Sequence, residues 1–338
     1  MGLALENTSK SFMMEKSYRN LDPGILFPAL RLGIFRMKFR VIGQNRLRDY
    51  LGSAWRGVLG HALRKRFCLW PQKKNCRKCR SSQGCTYHFM FERVSELPGF
   101  HASPKPYVVR PWENASDQVG AELVLVGLDD EMTLQVLTAF LHIKTIGWAR
   151  KESRIELESI YQMEPGGEWK EVYSSKGIAA LSKTSWLLKD YLDEIVFRQP
   201  PWTVKTLTPL RLERQGTRLQ KEIPWNWAFE RFAWRLFLLD SPMDLDRRKG
   251  VLTGELPRFF SQTGRIVQVN YWQEVKRFSS TQKRKIHVGG LKGVSMIMPP
   301  EGKEHIWYRW WHSAALLHLG KKTTIGNGWI TFNEHSGR

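Results

Sequence analysis

Two groups of residues in this sequence have the types and spacing to do chemistry. The first is Cys68, Cys76, Cys79 and Cys85, spaced C-x7-C-x2-C-x5-C, which are all the cysteines of the chain. A C-x-x-C pair can place two thiolates on one ion, and the flanking cysteines complete a tetrahedral set. The basic neighbours Lys73, Lys74, Arg77, Lys78 and Arg80 are expected to favour thiolates. Structural zinc is the leading reading and an iron–sulfur cluster the alternative. Two disulfides suit a reducing compartment poorly. Four thiolates leave no position for a catalytic water, so such a site would brace the 68–85 loop. His88 is an alternative ligand.

The second group centres on His61, in the stretch RGVLGHALRKRFC at 56–68. A histidine is the natural proton donor or acceptor near neutral pH. Lys65 follows one helical turn later, and Arg64 and Arg66 extend the positive charge. No paired-carboxylate cluster suited to two-metal chemistry and no serine-nucleophile motif stands out. If the chain cuts a nucleic acid, attack by an RNA 2′-OH without metal is the economical route.

Two further segments suit phosphate. The run HLGKKTTIGNG at 318–328 sets Gly320, Gly326 and Gly328 around Lys321 and Lys322. Glycines there let backbone N–H groups approach a phosphodiester. The alternative reading is a tight helix-to-strand connection. The segment 276–293, KRFSSTQKRKIHVGGLKG, carries Arg277, Lys283, Arg284, Lys285, His287 and Lys292 and suits a hairpin lying along a nucleic acid. The tryptophans at 225, 227, 234, 307, 310 and 311 have core-like helical spacing and are assigned to packing.

The chain that positions these groups has 338 residues, 53 Lys+Arg against 32 Asp+Glu, and a net charge of +21. With 42% hydrophobic residues it folds rather than forming a basic tail. That surplus points to a polyanion, nucleic acid ahead of an anionic membrane surface. No run of 18 apolar residues occurs, and the first twenty residues lack an apolar signal region, so a cytoplasmic chain with no membrane partner is expected.

Alternation at 35–41 reads as a strand with one apolar and one basic face. Apolar spacing at Leu47, Leu51, Ala54, Val58 and Ala62 reads as a helix over about 46–66, weakened by Gly57 and Gly60. Extended pieces at 86–94 and 105–111, a strand at 122–126, a helix over 131–146 with Leu134, Leu137 and Leu141 on one stripe, and a strand at 154–161 follow. Beyond Pro200-Pro201 the pattern recurs: strand 202–207, helix 224–239, strands near 265–275 and 284–297 (the latter turned at Gly289-Gly290), helix 304–319 and strand 329–332. The expectation is an α+β chain of two tandem ferredoxin-like (RRM-like) domains. Residues 1–199 form the first, with the four-cysteine insert, and 200–338 the second, with the glycine-rich loop.

The 56–68 stretch, the CRKC…C insert followed by YHFMFE at 87–92, TLTPLRL at 206–212, the 276–293 segment and the 318–328 loop together resemble the CRISPR-associated precursor-RNA-processing endoribonucleases of the RAMP superfamily. The resemblance implies binding of CRISPR repeat RNA and cleavage without metal, leaving a 2′,3′-cyclic phosphate and a 5′-OH. It implies retention of the mature guide RNA and association with other Cas proteins of an effector complex. It makes His61 the general base or acid, Lys65 a transition-state cation, Tyr50 a helper, and the glycine-rich loop an RNA contact. A non-catalytic RNA-binding subunit of the same fold is the alternative; a zinc-stabilised DNA-binding protein is a remoter one, without a recognition-helix motif.

Overall fold

The computed structural model describes residues 18–43, 51–70, 76, 79, 84–94, 103–115, 117–141, 154–174, 177–178, 183–240, 245–279 and 284–332. The first half runs β1 (Arg31–Ile42), α1 (Leu51–Phe67), β2 (Tyr107–Ala115), β3 (Gln118–Val126), α2 (Asp130–Leu141), β4 (Arg154–Met163) and β5 (Trp169–Ser174). The second runs β6 (Trp202–Thr206), α3 (Trp225–Leu239), β7 (Arg265–Gln273), the hairpin β8 (Lys276–Ser279) and β9 (Arg284–His287), β10 (Gly290–Met298), α4 (Glu304–Leu317) and β11 (Ile330–Phe332). The first sheet contains the order β4-β1-β3-β2, and the second is β11-β6-β10-β7. In each half the fourth core strand therefore lies beside the first, then the third, then the second. The chain is α+β with antiparallel sheets.

Strand β1 has core on both faces because alternate side chains point opposite ways. Leu32 and Ile34 join a core shared with the second half, whereas Phe35, Met37 and Phe39 pack under α1 and α2. Beyond Ile34 the first face turns basic. Arg36 pairs with Glu122 and lies 4.1 Å over the Trp169 ring, and Arg40 faces Glu156 and Glu158. The two arginines of the basic face are therefore paired with acids of the neighbouring strands, while Lys38 lies 5.1 Å over the Tyr161 ring.

Helix α1 buries Trp55, Val58, Leu59, Ala62 and Leu63. The anticipated stripe through Ala54, Val58 and Ala62 is one edge of that face; Leu47 lies outside the described residues. Trp55 is sealed against Phe39 at 4.9 Å, and its truncation to Ala would cost about 3–5 kcal/mol. In α2 the buried side chains include Val136, Leu137 and Phe140, while Leu134 is 44% exposed, so the expected stripe is displaced by part of a turn.

Two local expectations change. Residues 88–92 form a helical turn instead of an extended piece, because Tyr87 and Phe91, one turn apart, stack at 5.1 Å. Gly289-Gly290 is not a hairpin turn: β9 pairs with β8, and β10 pairs with β7 and β6. The glycines carry the chain from one sheet to the next, where a Cβ on Gly290 would lie 2.5 Å from the Leu210 carbonyl oxygen. The tryptophans do serve packing: Trp225, Trp307, Trp310 and Trp311 are buried in one cluster, with Trp227 and Trp234 against it.

Candidate nucleic-acid interface

The glycine-rich loop leaves α4 and packs on the first half. An added Cβ on Gly52 of α1 would overlap the Ile325 carbonyl oxygen, and one on Gly326 would reach 3.0 Å from the Val109 carbonyl oxygen and the Pro111 ring. Gly320, Gly326 and Gly328 all have positive φ, a conformation only glycine adopts without strain. Their placement is steric, and the loop uses much of its own backbone: Gly326 donates to Thr323 O and Gly328 to Pro209 O. The backbone N–H groups that the sequence offered to a phosphodiester are thus engaged at these two glycines.

His318, at the start of this loop, is fully buried. Its Nδ1 donates to Asn327 O at 3.0 Å, and its Nε2 accepts from Arg110 Nε at 3.1 Å. Burial, followed by the Arg110 charge, holds it well below the ordinary 6.5, so the ring is neutral. Arg110 also reaches Glu122 at 3.1 Å and the Ala315 and Leu316 carbonyls at 2.7 and 2.5 Å, closing the C-terminal end of α4. Arg235 donates to the next carbonyl, Leu317 O. This hub joins the halves and was not visible in the sequence.

On its other side the loop presents charge. The Lys322 amine is pulled down by partial burial and then by Arg277, Arg211 and Arg56, with Glu213 alone opposing. Cations of the loop, the β8–β9 hairpin, the 206–212 segment and α1 are therefore neighbours, although Arg211 is itself buried and engaged by Glu213 at 2.7 Å and by the His287 carbonyl at 2.9 Å. Arg277 Nη1 donates to Ser53 Oγ at 3.3 Å, which docks the hairpin on α1. Arg56 lies 5.4 Å over the Phe91 ring and beside the hydroxyl of Tyr107, which burial pushes up to about 12. Such a grouping of cations favours a phosphate or another anion. Arg277 and Lys322 were anticipated; Arg56 and Arg211 were not, although both lie in the quoted stretches.

Along α1, Ser53, Gly57, His61 and Lys65 fall at successive spacings of four and share one face. Gly57, His61 and Lys65 are exposed, and nothing lies within 4 Å of a Cβ placed on Gly57. His61 is about 12 Å along the helix from Ser53, where the hairpin docks. No orienting partner for the His61 ring occurs among the described residues. Arg64 turns instead to the Tyr87 ring at 5.7 Å, and Arg66 to Phe67.

The remaining anticipated residues are spread out. Arg284 and Lys285 are exposed on the hairpin, and His287 pairs with Glu274 at 3.0 Å. Lys321 pairs with Glu213 at 2.6 Å. Lys292 is opposite Tyr271 in the second sheet. Tyr50 and Lys283 lie outside the described residues. Between the halves a cavity of about 960 Å³ is lined by Arg36, Arg110, Trp169, Arg198, His312 and Trp329.

The four thiols are half-buried and free. Among the described residues no three Cys, His, Asp or Glu side chains form a group that could hold a metal ion. Burial and then Glu92 push the Cys76 thiol up, with Arg64 acting the other way. The basic neighbours expected to favour thiolates lie outside the described residues. No helix among the described residues is long and apolar enough to cross a membrane.

A family profile described as AF_1859_N, an N-terminal domain, matches residues 30–184. No curated protein sequence matches the chain. Its fold is similar to that of a Cas6 product complex, with 14% identity, a TM-score of 0.53, and coverage of 89% of this chain and 98% of that one. A partial Cas6-RT-Cas1–Cas2 complex gives 11% identity and a TM-score of 0.53 over 92% of this chain and 47% of the other. A Thermus thermophilus Cas6 gives 14% identity and a TM-score of 0.49, covering 90% and 99%. At these identities the likeness is one of fold: a mixed α+β chain built like Cas6.

Proposed function

We propose that this chain is an endoribonuclease that binds CRISPR repeat RNA and cuts the precursor transcript into mature guide RNAs. The observation that carries the reading is the open His61–Lys65 face of α1, which continues from the point where Arg56, Arg211, Arg277 and Lys322 are neighbours. In this reading Arg56, Arg277 and Lys322 hold the phosphodiester backbone, Arg211 being engaged by Glu213, and His61 moves the proton. A base takes the proton of the 2′-OH, and that oxygen bonds to the adjacent phosphorus. The bond from phosphorus to the 5′-oxygen breaks, and an acid protonates the leaving oxygen. Lys65 offsets charge on the phosphorane-like transition state, with Tyr50 as helper. The products are a 2′,3′-cyclic phosphate and a 5′-OH, and no metal takes part.

The Cas6-like fold supports the reading, as does the tandem ferredoxin-like arrangement that we read in the repeated strand order, divided at Pro200-Pro201 into 1–199 and 200–338. The similar structures include a Cas6 product complex and a Cas6-RT-Cas1–Cas2 assembly, which supports retained guide RNA and other Cas proteins as partners. For the four-cysteine insert we propose structural zinc on donor type and spacing; the thiols must close in from their described positions to hold it. Metal analysis of purified protein tests this: one zinc per chain, lost in Cys76→Ser, is expected, and a metal-free protein of unchanged stability refutes it.

A second reading, a non-catalytic RNA-binding subunit, is the same fold and the same cations without a proton transfer at His61, for which no orienting group occurs among the described residues. Repeat RNA incubated in excess EDTA with wild type and His61→Ala separates the two. Cleavage at one position with a cyclic-phosphate end, absent from the mutant while binding persists, is expected. Binding without cutting by either protein selects the second reading.

A further inference from the structure

The outer face of the second sheet lies apart from the His61 face and the Arg56, Arg277 and Lys322 group, and of the anticipated RNA contacts only Lys292 borders it. Strands β7 and β10 pair there with Val267 opposite Met296 and Val269 opposite Val294. Val267, Val269, Tyr271, Val294, Met296 and Met298 are between 45% and 75% exposed, the highest being Val269. Side chains of opposite parity, such as Ile297, Trp202 and Val204, are buried on the inner face among residues of α3 and α4. An apolar strip of this kind on a charged protein marks an interaction surface. β7 also ends its sheet, so its outer edge offers backbone donors and acceptors to an added strand.

The rim of the strip identifies the occupant. Arg265, Lys205 and Lys292 border it, and the outward positions of β6, β7, β10 and β11 hold no Asp or Glu. A second copy would bring like-charged rims together on chains of net charge +21. Unpaired bases stack on aromatic rings, but five of the six side chains are aliphatic or methionine. What fits is an extended protein segment with apolar side chains on the strip, acidic ones on the rim, and its backbone along β7. We propose that the outer face of β7 and β10 docks such an acidic, apolar segment of a partner protein.

A phage-displayed library of short random peptides, selected on wild type and depleted on a Val269→Glu/Met296→Glu variant, tests this. Enrichment of peptides with Asp or Glu flanking large apolar residues is expected. The best synthetic peptide should bind the variant about tenfold more weakly and lose affinity with salt. A second variant, Lys205→Glu/Arg265→Glu, keeps the strip and should also reject acidic peptides. Peptides without acidic residues, or binding unchanged in both variants, overturn the proposal. So does a tenfold loss of repeat-RNA affinity in the Val269→Glu/Met296→Glu variant, which gives the face to RNA. A wild-type dimer at micromolar concentration that this variant dissociates gives it to a second copy. Peptide binding that appears only after removal of residues 1–17 gives it to the chain's own N-terminal segment.

Discussion

The glycine-rich loop separates two histidine environments that differ in nearly every physical respect. His318 is sealed between the halves, neutral, and held at both ring nitrogens by Asn327 and Arg110. His61 is open to solvent on a face of α1 shared with Lys65, and no described residue orients its ring. The buried ring is fully used by the fold. The exposed one has no hydrogen-bond partner among the described residues and lies on the same helix as Arg56, beside the loop. The contrast separates a histidine that holds the molecule together from one that the proposed reaction would use.

That contrast makes quantitative expectations. Replacing His61 by Ala should lower cleavage about a hundred- to ten-thousand-fold while stability stays within about 0.5 kcal/mol, read from single-turnover rates and urea midpoints. Equal losses of rate and stability would erase the distinction. Arg110→Ala should show the reverse, losing about 3–5 kcal/mol of stability because Glu122, His318 and the α4 carbonyls lose a buried partner. Gly52→Val should cost about 1–3 kcal/mol and weaken RNA binding, since its side chain meets the Ile325 carbonyl and pushes the loop off α1.

The pH dependence sharpens the buried side. His312 is pushed down to about 4 by burial and then by Arg198, and His318 is lower than the ordinary 6.5 for the causes given. Once unfolded, each binds a proton near pH 6.5 that the folded chain refuses. Stability from this source is complete above pH 6.5 and falls as pH drops towards 4, by up to about 1.4 kcal/mol per pH unit for each ring. Urea midpoints across that range should show the decline, and His312→Phe should make it shallower. The smallest effect belongs to the open side: Lys322→Ala should reduce the slope of log affinity for single-stranded RNA against log salt by about 0.7. A slope that does not change would remove Lys322 from the interface.

Much of the fold was legible in the sequence. Alternation at Phe35, Met37 and Phe39 and the repeated order of strands and helices depend on local periodicity, which survives in the chain itself. The helical turn at 88–92 was missed because the Tyr87–Phe91 pair has no alternation to distinguish it from a short strand. The strand exchange at Gly289-Gly290 was missed because its cause is the distant Leu210 carbonyl. Of the candidate site, the exposed face of α1 and two of the four neighbouring cations were readable, since charge and composition mark them. Arg56 and Arg211 became distinct only when the loop was seen against α1.

The sequence by itself determined that this is a basic, folded α+β chain with a net charge of +21 and a histidine on its first long helix. Those properties come from composition and from periods of two and 3.6 residues, which act locally. Tertiary structure decided that Gly52, not Gly57 or Gly60, admits the loop, that His318 is structural, and that Arg277 and Lys322 meet Arg56 and Arg211. It also decided that an apolar strip on β7 and β10 is left facing water. Each of these depends on which surfaces meet across large sequence separations, and burial, close approach and charge pairing exist only once they have met.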